Sequence, residues 1–188
     1  MTNGSKAALL KRAASALESK AVVTSEDLRV GLVKVAIALL PDSLPLVRAV
    51  IIDERHKYDP EVRFSLFCFL GDLPGLSIGE AIEEEICGCV STFLAEVRTN
   101  AGQAPWMAGD LLGSHWRAAP GVSALCGVAK EARFVIGREA AIHGLSHALE
   151  RSPELRASIH SVLNEIADAD RSGRVRRYAR AVLDGKHC

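Results

Sequence analysis

A carboxylate and two imidazoles sit four residues apart in Glu139-x-x-x-His143-x-x-x-His147. On a helix, residues four apart share a face, so these side chains form a ladder with a spacing able to hold a metal ion. Three donors on one helix do not close a metal set, however, and the ladder reads as a polar surface row with no cofactor. Cys87-Gly88-Cys89 is spaced too tightly for a Cys-x-x-Cys redox or zinc motif, and no second pair completes four ligands. The sequence offers no nucleophile–base pair and no phosphate-binding glycine loop. Two charge clusters remain. Glu80, Glu83, Glu84 and Glu85 read as the wet side of a helix, and Arg171, Arg174, Arg176, Arg177, Arg180 and Lys186 form a basic end.

The elements that must position these residues are helices. The 188 residues are 48% hydrophobic, 24% charged and only 5% aromatic, rich in Ala and Leu, so helix is expected almost throughout and strand almost nowhere. This length suits one domain with a core that needs no metal or disulfide. Lysine plus arginine equals aspartate plus glutamate at 23 each, so no global field draws the chain to nucleic acid or acidic membrane. Five cysteines form no even framework, which points to a reducing, cytoplasmic setting. No apolar run is long enough for a membrane span, and the mixed-charge start does not read as a secretion signal.

Asp59 to Leu73 is the clearest element. Asp59 caps it, Pro60 suits its first position, and Val62, Leu66, Phe69, Leu70 and Leu73 trace one face. Earlier helices are expected over 6–20, with Ala7, Leu10, Ala14 and Leu17 inward, and from Thr24 to Pro41, with Leu28, Leu32, Val35, Ala36 and Leu39 inward. A third runs from Ser43 to Asp53. Ser77 to Glu80 reads as a capping box before a helix through Ile78 to Val97. Further helices follow through Trp106 to Leu112, ended by Ala119-Pro120-Gly121, and then over Val122 to Phe134 and Ile136 to Glu150. The last two are one entered at Ser152-Pro153-Glu154 and one over Val175 to Leu183.

The second helices of the last four hairpins share a template, V-R-x-x-(small or apolar)-x-x-(apolar)-L-G. It reads as Val62-Arg63, Leu66, Phe69, Leu70, Gly71; then Ala108, Leu111, Leu112, Gly113; then Gly137-Arg138, Ala141, Gly144, Leu145; then Val175-Arg176, Ala179, Val182, Leu183. With its Asp59-x-x-Val62-Arg63 opening, and more loosely Asp170, Val175 and Arg176, the pattern over residues 43 to 185 resembles the HEAT repeats. The resemblance implies a right-handed α-solenoid of about five antiparallel hairpins, with 1–42 as an N-terminal capping hairpin and 43–185 as four HEAT-like hairpins in a single domain. It also implies that second helices line a concave groove. The template arginines Arg63, Arg138 and Arg176 are expected to tie repeats together through carboxylates or helix ends.

Positions two, six and ten after the template Val lie opposite the core, and they place Phe64, Trp106, Asp110, Glu139, His143, His147 and Arg177 along one exposed ridge. Such a ridge suits a protein partner, with Phe64 and Trp106 as anchors. The resulting expectation is a non-enzymatic inhibitor or adaptor, a bacterial immunity protein that blocks a toxin being one case. The alternative is an enzyme. Trp106-Met107-Ala108-Gly109-Asp110 is similar to the Trp-x-x-x-Asp element of HEAT-like alkylpurine DNA glycosylases, which would make Asp110, with Trp106, the catalytic group. At the groove positions where that family offers a DNA-binding Arg and a further aromatic, this chain has Glu139 and Ala181.

Overall fold

The computed structural model describes residues 3–19, 25–53, 58–73, 78–98, 101–115 and 118–186, without the side chains of residues 3, 115 and 118. Among these residues there are ten α-helices and no strand. They are α1 (Asn3–Leu17), α2 (Glu26–Ala38), α3 (Leu44–Ile52), α4 (Pro60–Gly71), α5 (Glu80–Glu96), α6 (Ala104–Asp110), α7 (Ala118–Glu131), α8 (Val135–Arg151), α9 (Arg156–Ala169) and α10 (Gly173–Leu183). A π-helical turn, Leu111–His115, extends α6, and a 3-10 turn, Pro153–Leu155, leads into α9. None of these helices is long and apolar enough to cross a membrane.

Consecutive helices α7 and α8, and likewise α9 and α10, pack extensively, and a second set of contacts runs between alternate helices. α2 packs on α4, α4 on α6, α6 on α8 and α8 on α10, while α3 packs on α5, α5 on α7 and α7 on α9. Polar links between these neighbours span 33 to 37 residues, four of them 35 or 36: Arg29 to Ser65 spans 36, and Lys130–Glu165, Arg174–Glu139 and Tyr178–His143 each span 35. Interior helices therefore pack against a helix next to them in the chain as well as against alternate helices.

That enclosure explains where the expected faces shift. In α4 the side chains of Val62, Leu66 and Leu70 are buried as their spacing predicts, but Phe67 is fully buried while Phe69 is only half-buried. Phe67 packs on Phe93 of α5 with ring centroids 5.5 Å apart. In α2, Ala36 is buried as expected, but Leu28 is 55% exposed and Val33 and Ile37 meet the core beside Ala36. The helix is apolar on most sides, so periodicity alone cannot select its inner face, and the position of α1 and α4 does. In α1, likewise, Ala13 and Leu17 are buried but Ala7 is exposed.

Helix ends follow local chemistry. Asp59 accepts a hydrogen bond from the Glu61 amide at 2.9 Å, and Pro60 occupies the first turn of α4 as expected. The α5 cap is Gly79 at φ 85°, a backbone region that glycine adopts without strain, and Ser77 lies outside the described residues. Pro120 and Gly121 do not separate two helices; they stand in the first turn of α7, where a proline costs no helical bond.

The template arginines tie neighbouring helices together. Arg63 donates to the Val50 carbonyl at the end of α3 at 3.1 Å and to Asp53 at 3.2 Å. Arg138, 1% exposed, donates to the Ala132 carbonyl at 2.7 Å and pairs with both carboxylate oxygens of Asp170, at 2.8 and 3.3 Å. Asp170 also accepts from the Ser172 amide, and its carbonyl accepts from Arg176. One turn thus fastens α8, α9 and α10.

Candidate functional site

Close contact between α6 and α8 creates the site. A Cβ on Gly109 would stand 2.3 Å from the Ala140 carbonyl oxygen, one on Gly113 would stand 2.0 Å from that of Gly144, and one on Gly144 would stand 2.4 Å from that of Gly109. Only glycine allows two helix backbones to approach so closely. Asp110, the last residue of α6 before the π turn, is carried directly against the edge of α8. π turns recur at functional positions because they re-aim the side chains beside them.

The Asp110 carboxylate meets two imidazoles there. Its Oδ1 lies 3.1 Å from His143 Nε2 and 3.0 Å from His147 Nε2. The two rings stand edge to face, with centroids 4.7 Å apart. The three side chains are 26%, 17% and 36% exposed respectively, so the cluster is open to solvent on one side. Asp110 Oδ1 is itself shielded and accepts a well-aimed hydrogen bond from neither ring.

Two aromatic residues border the cluster. Trp106, one turn before Asp110 on α6, meets the His143 ring edge-on at 5.5 Å and the Tyr178 ring edge-on at 6.4 Å. The Tyr178 hydroxyl from α10 lies 3.4 Å from His143 Nδ1. On the α4 side, the Cys68 thiol is raised above its ordinary pKa of 9.0, by burial first and then by the charges of Asp72 and Asp110.

The predicted ridge is therefore reorganised. Trp106, Asp110, His143 and His147 come together. Glu139 does not join them as an exposed rung: its side chain is 3% exposed and paired with Arg174, which reaches across from α10. The carboxylate beside the two histidines comes from α6 rather than from their own helix. Phe64 is half-buried against the core of α4, and Arg177 is exposed on α10.

Tyr178 and Arg174 were not among the expected groove residues. Tyr178 stands three residues after the template Val175, about 60° from the mean direction of positions two, six and ten at 100° per residue. It lies on the flank that faces α8. The 35-residue offset that pairs Arg174 with Glu139 also pairs Tyr178 with His143, so two rungs one turn apart link α10 to α8. The template gave no such signal: it aligns Arg138 with Arg176, and so Glu139 with Arg177 and His143 with Ala181.

No protein-family model matches the chain, and comparison with curated proteins and with solved structures finds no match.

Proposed function

We propose that this chain is a non-enzymatic protein-binding module, an inhibitor or adaptor built as an α-solenoid of HEAT-like hairpins, whose second helices present the recognition surface. Contacts between alternate helices and the recurring offset of 35 or 36 residues support that architecture. A bacterial immunity protein that occludes a cognate toxin fits the same size and form, as does a cytoplasmic setting.

One observation carries the reading. Trp106, Tyr178 and His143, from three successive second helices, form an edge-to-face aromatic group that is only partly covered, while the backs of the same helices are fully buried. Trp and Tyr bring large contact area with little rotamer entropy to lose, and they dominate protein interfaces for that reason. Asp110, His147, Arg174 and Arg177 supply polar and charged neighbours of both signs, which suits a protein ligand better than a polyanion.

A glycosylase-type mechanism has less support. An aspartate that stabilises a sugar cation must offer its oxygens to the groove, whereas Asp110 Oδ1 is enclosed between two imidazoles. Glu139 is neutralised by Arg174 rather than held ready for DNA. Tyr178 does supply a groove aromatic from α10, although Ala181 held that place in the sequence alignment.

The test is co-purification of the chain with the proteins encoded beside its gene, followed by calorimetry. A stoichiometric complex is expected, with Trp106→Ala or Tyr178→Ala weakening it by about 30-fold or more, equivalent to about 2 kcal/mol, while the far-UV spectrum is unchanged. Steeply salt-dependent duplex DNA binding, with base release lost in Asp110→Asn, would instead establish the enzyme.

A further inference from the structure

The geometry points to a binding site for one divalent transition-metal ion of the zinc class, held by Asp110 Oδ1, His143 Nε2 and His147 Nε2. The three ligand atoms lie within 4.8 Å of one another. In a tetrahedral site with metal–ligand bonds of about 2.0–2.1 Å, neighbouring ligand atoms stand about 3.3 Å apart. The two oxygen–nitrogen separations, 3.1 and 3.0 Å, are close to that edge length.

Direction is more telling than distance. At such separations each imidazole N–H would ordinarily point at the carboxylate oxygen, yet Asp110 Oδ1 accepts from neither ring. In a metal site the nitrogen lone pairs aim at the ion, to one side of the neighbouring ligand. A shielded carboxylate oxygen that accepts from neither adjacent ring is left without a partner, and an ion bound between it and the two nitrogens would supply one.

The surroundings agree with this assignment. His143 and His147 are one turn apart on α8, a rigid two-point grip, and the third ligand comes from another helix pinned to α8 by glycine contacts. The Tyr178 hydroxyl beside His143 can accept a hydrogen bond from a protonated Nδ1, leaving Nε2 as the metal-facing lone pair. Two imidazoles and one carboxylate favour zinc, cobalt, nickel or ferrous iron over magnesium or calcium, which prefer oxygen. Three protein ligands leave one position for water or an incoming group, and the partial exposure of all three side chains opens it to the groove. The site would exist with or without a protein partner.

Titration of the chelator-treated full chain with Co(II), and then with Zn(II) in competition, tests this. The background carries His187→Ala and Cys188→Ser to remove the terminal donors. One Co(II) per chain is expected, with the intense visible bands of four- or five-coordinate cobalt that Zn(II) abolishes. His147→Ala and Asp110→Ala should each weaken binding by at least about 100-fold and Tyr178→Phe by about 10-fold. His160→Ala, on α9 outside the cluster, should leave it unchanged. His147 is the most exposed of the three ligands, so its variant keeps the fold, which circular dichroism checks. Undiminished Co(II) binding by His143→Ala/His147→Ala, or no stoichiometric binding by the parent chain, would overturn the site and leave a plain polar cluster. Neither result depends on finding a protein partner.

Discussion

Replacing Gly144 or Gly113 by alanine tests whether the backbones of α6 and α8 touch. Alanine is intrinsically better than glycine in a helix by about 1 kcal/mol. At Gly127 on α7 the added methyl would meet nothing within 4 Å, so Gly127→Ala should gain about 0.5–1 kcal/mol. At Gly144 the Cβ would stand 2.4 Å from a backbone oxygen, and at Gly113 it would stand 2.0 Å away. Ordinary contact begins near 3.4 Å, so relief requires the helices to part by 3.4 − 2.4 = 1.0 Å at Gly144 or 3.4 − 2.0 = 1.4 Å at Gly113. A backbone carbonyl cannot rotate away as a side chain can. Overpacking of this kind costs typically about 1–3 kcal/mol and occasionally more, and contact with backbone on both sides places these sites toward the upper end. After the helix gain is subtracted, a net loss of about 1–2 kcal/mol remains. For a chain of this length each kcal/mol moves Tm by about 2–4 °C. Scanning calorimetry should therefore show Tm lower by about 2–8 °C in Gly144→Ala and Gly113→Ala, and slightly higher in Gly127→Ala. Gly144→Ala should also weaken Co(II) binding, because it moves Asp110 away from both histidines. If all three variants gain stability alike, the helices are not in backbone contact and the site loses the approach that assembles it.

Asp170→Ala removes the carboxylate that pairs with Arg138, a side chain only 1% exposed, and urea unfolding should show a loss of about 3–5 kcal/mol. Lys130→Ala, whose partner Glu165 lies at the surface, should change stability by less than about 1 kcal/mol in the same assay. Burial raises the Cys68, Cys89 and Cys126 thiols above 9.0, and burial, then the Glu18 and Asp53 charges, raises Tyr58 above 10.0. The folded chain then holds protons that the unfolded chain releases, so stability should fall as pH rises past 9 and onward through the folded-state values. Unfolding midpoints measured from neutral to alkaline pH check that sign, since an alkaline plateau or rise contradicts it. The same thiols should react slowly with a disulfide reagent at neutral pH until urea unfolds the chain.

Much was determined locally by the sequence. The Asp59-Pro60 start, the all-helical composition and the role of Arg63 and Arg138 as internal fasteners depend on near neighbours or on a repeat that the chain itself spells out. The template even ended on glycine at Gly113, without showing why. Tertiary structure alone decided the rest. A helical wheel assigns one face to each helix, but a helix packed against several neighbours has several faces to fill. Leu28 could therefore turn outward although it fitted the apolar stripe of its helix, and Phe67 inward although it lay off the stripe of its own. The histidines were legible as a pair because four residues on one helix fix their separation. Their carboxylate was misassigned to Glu139 because spacing along α8 says nothing about which group another helix delivers. Arg174 reaching from α10 takes Glu139, and glycine contacts with α6 bring Asp110 in its place. Distances within a helix follow from its pitch, whereas distances between helices follow from how closely their surfaces allow them to pack.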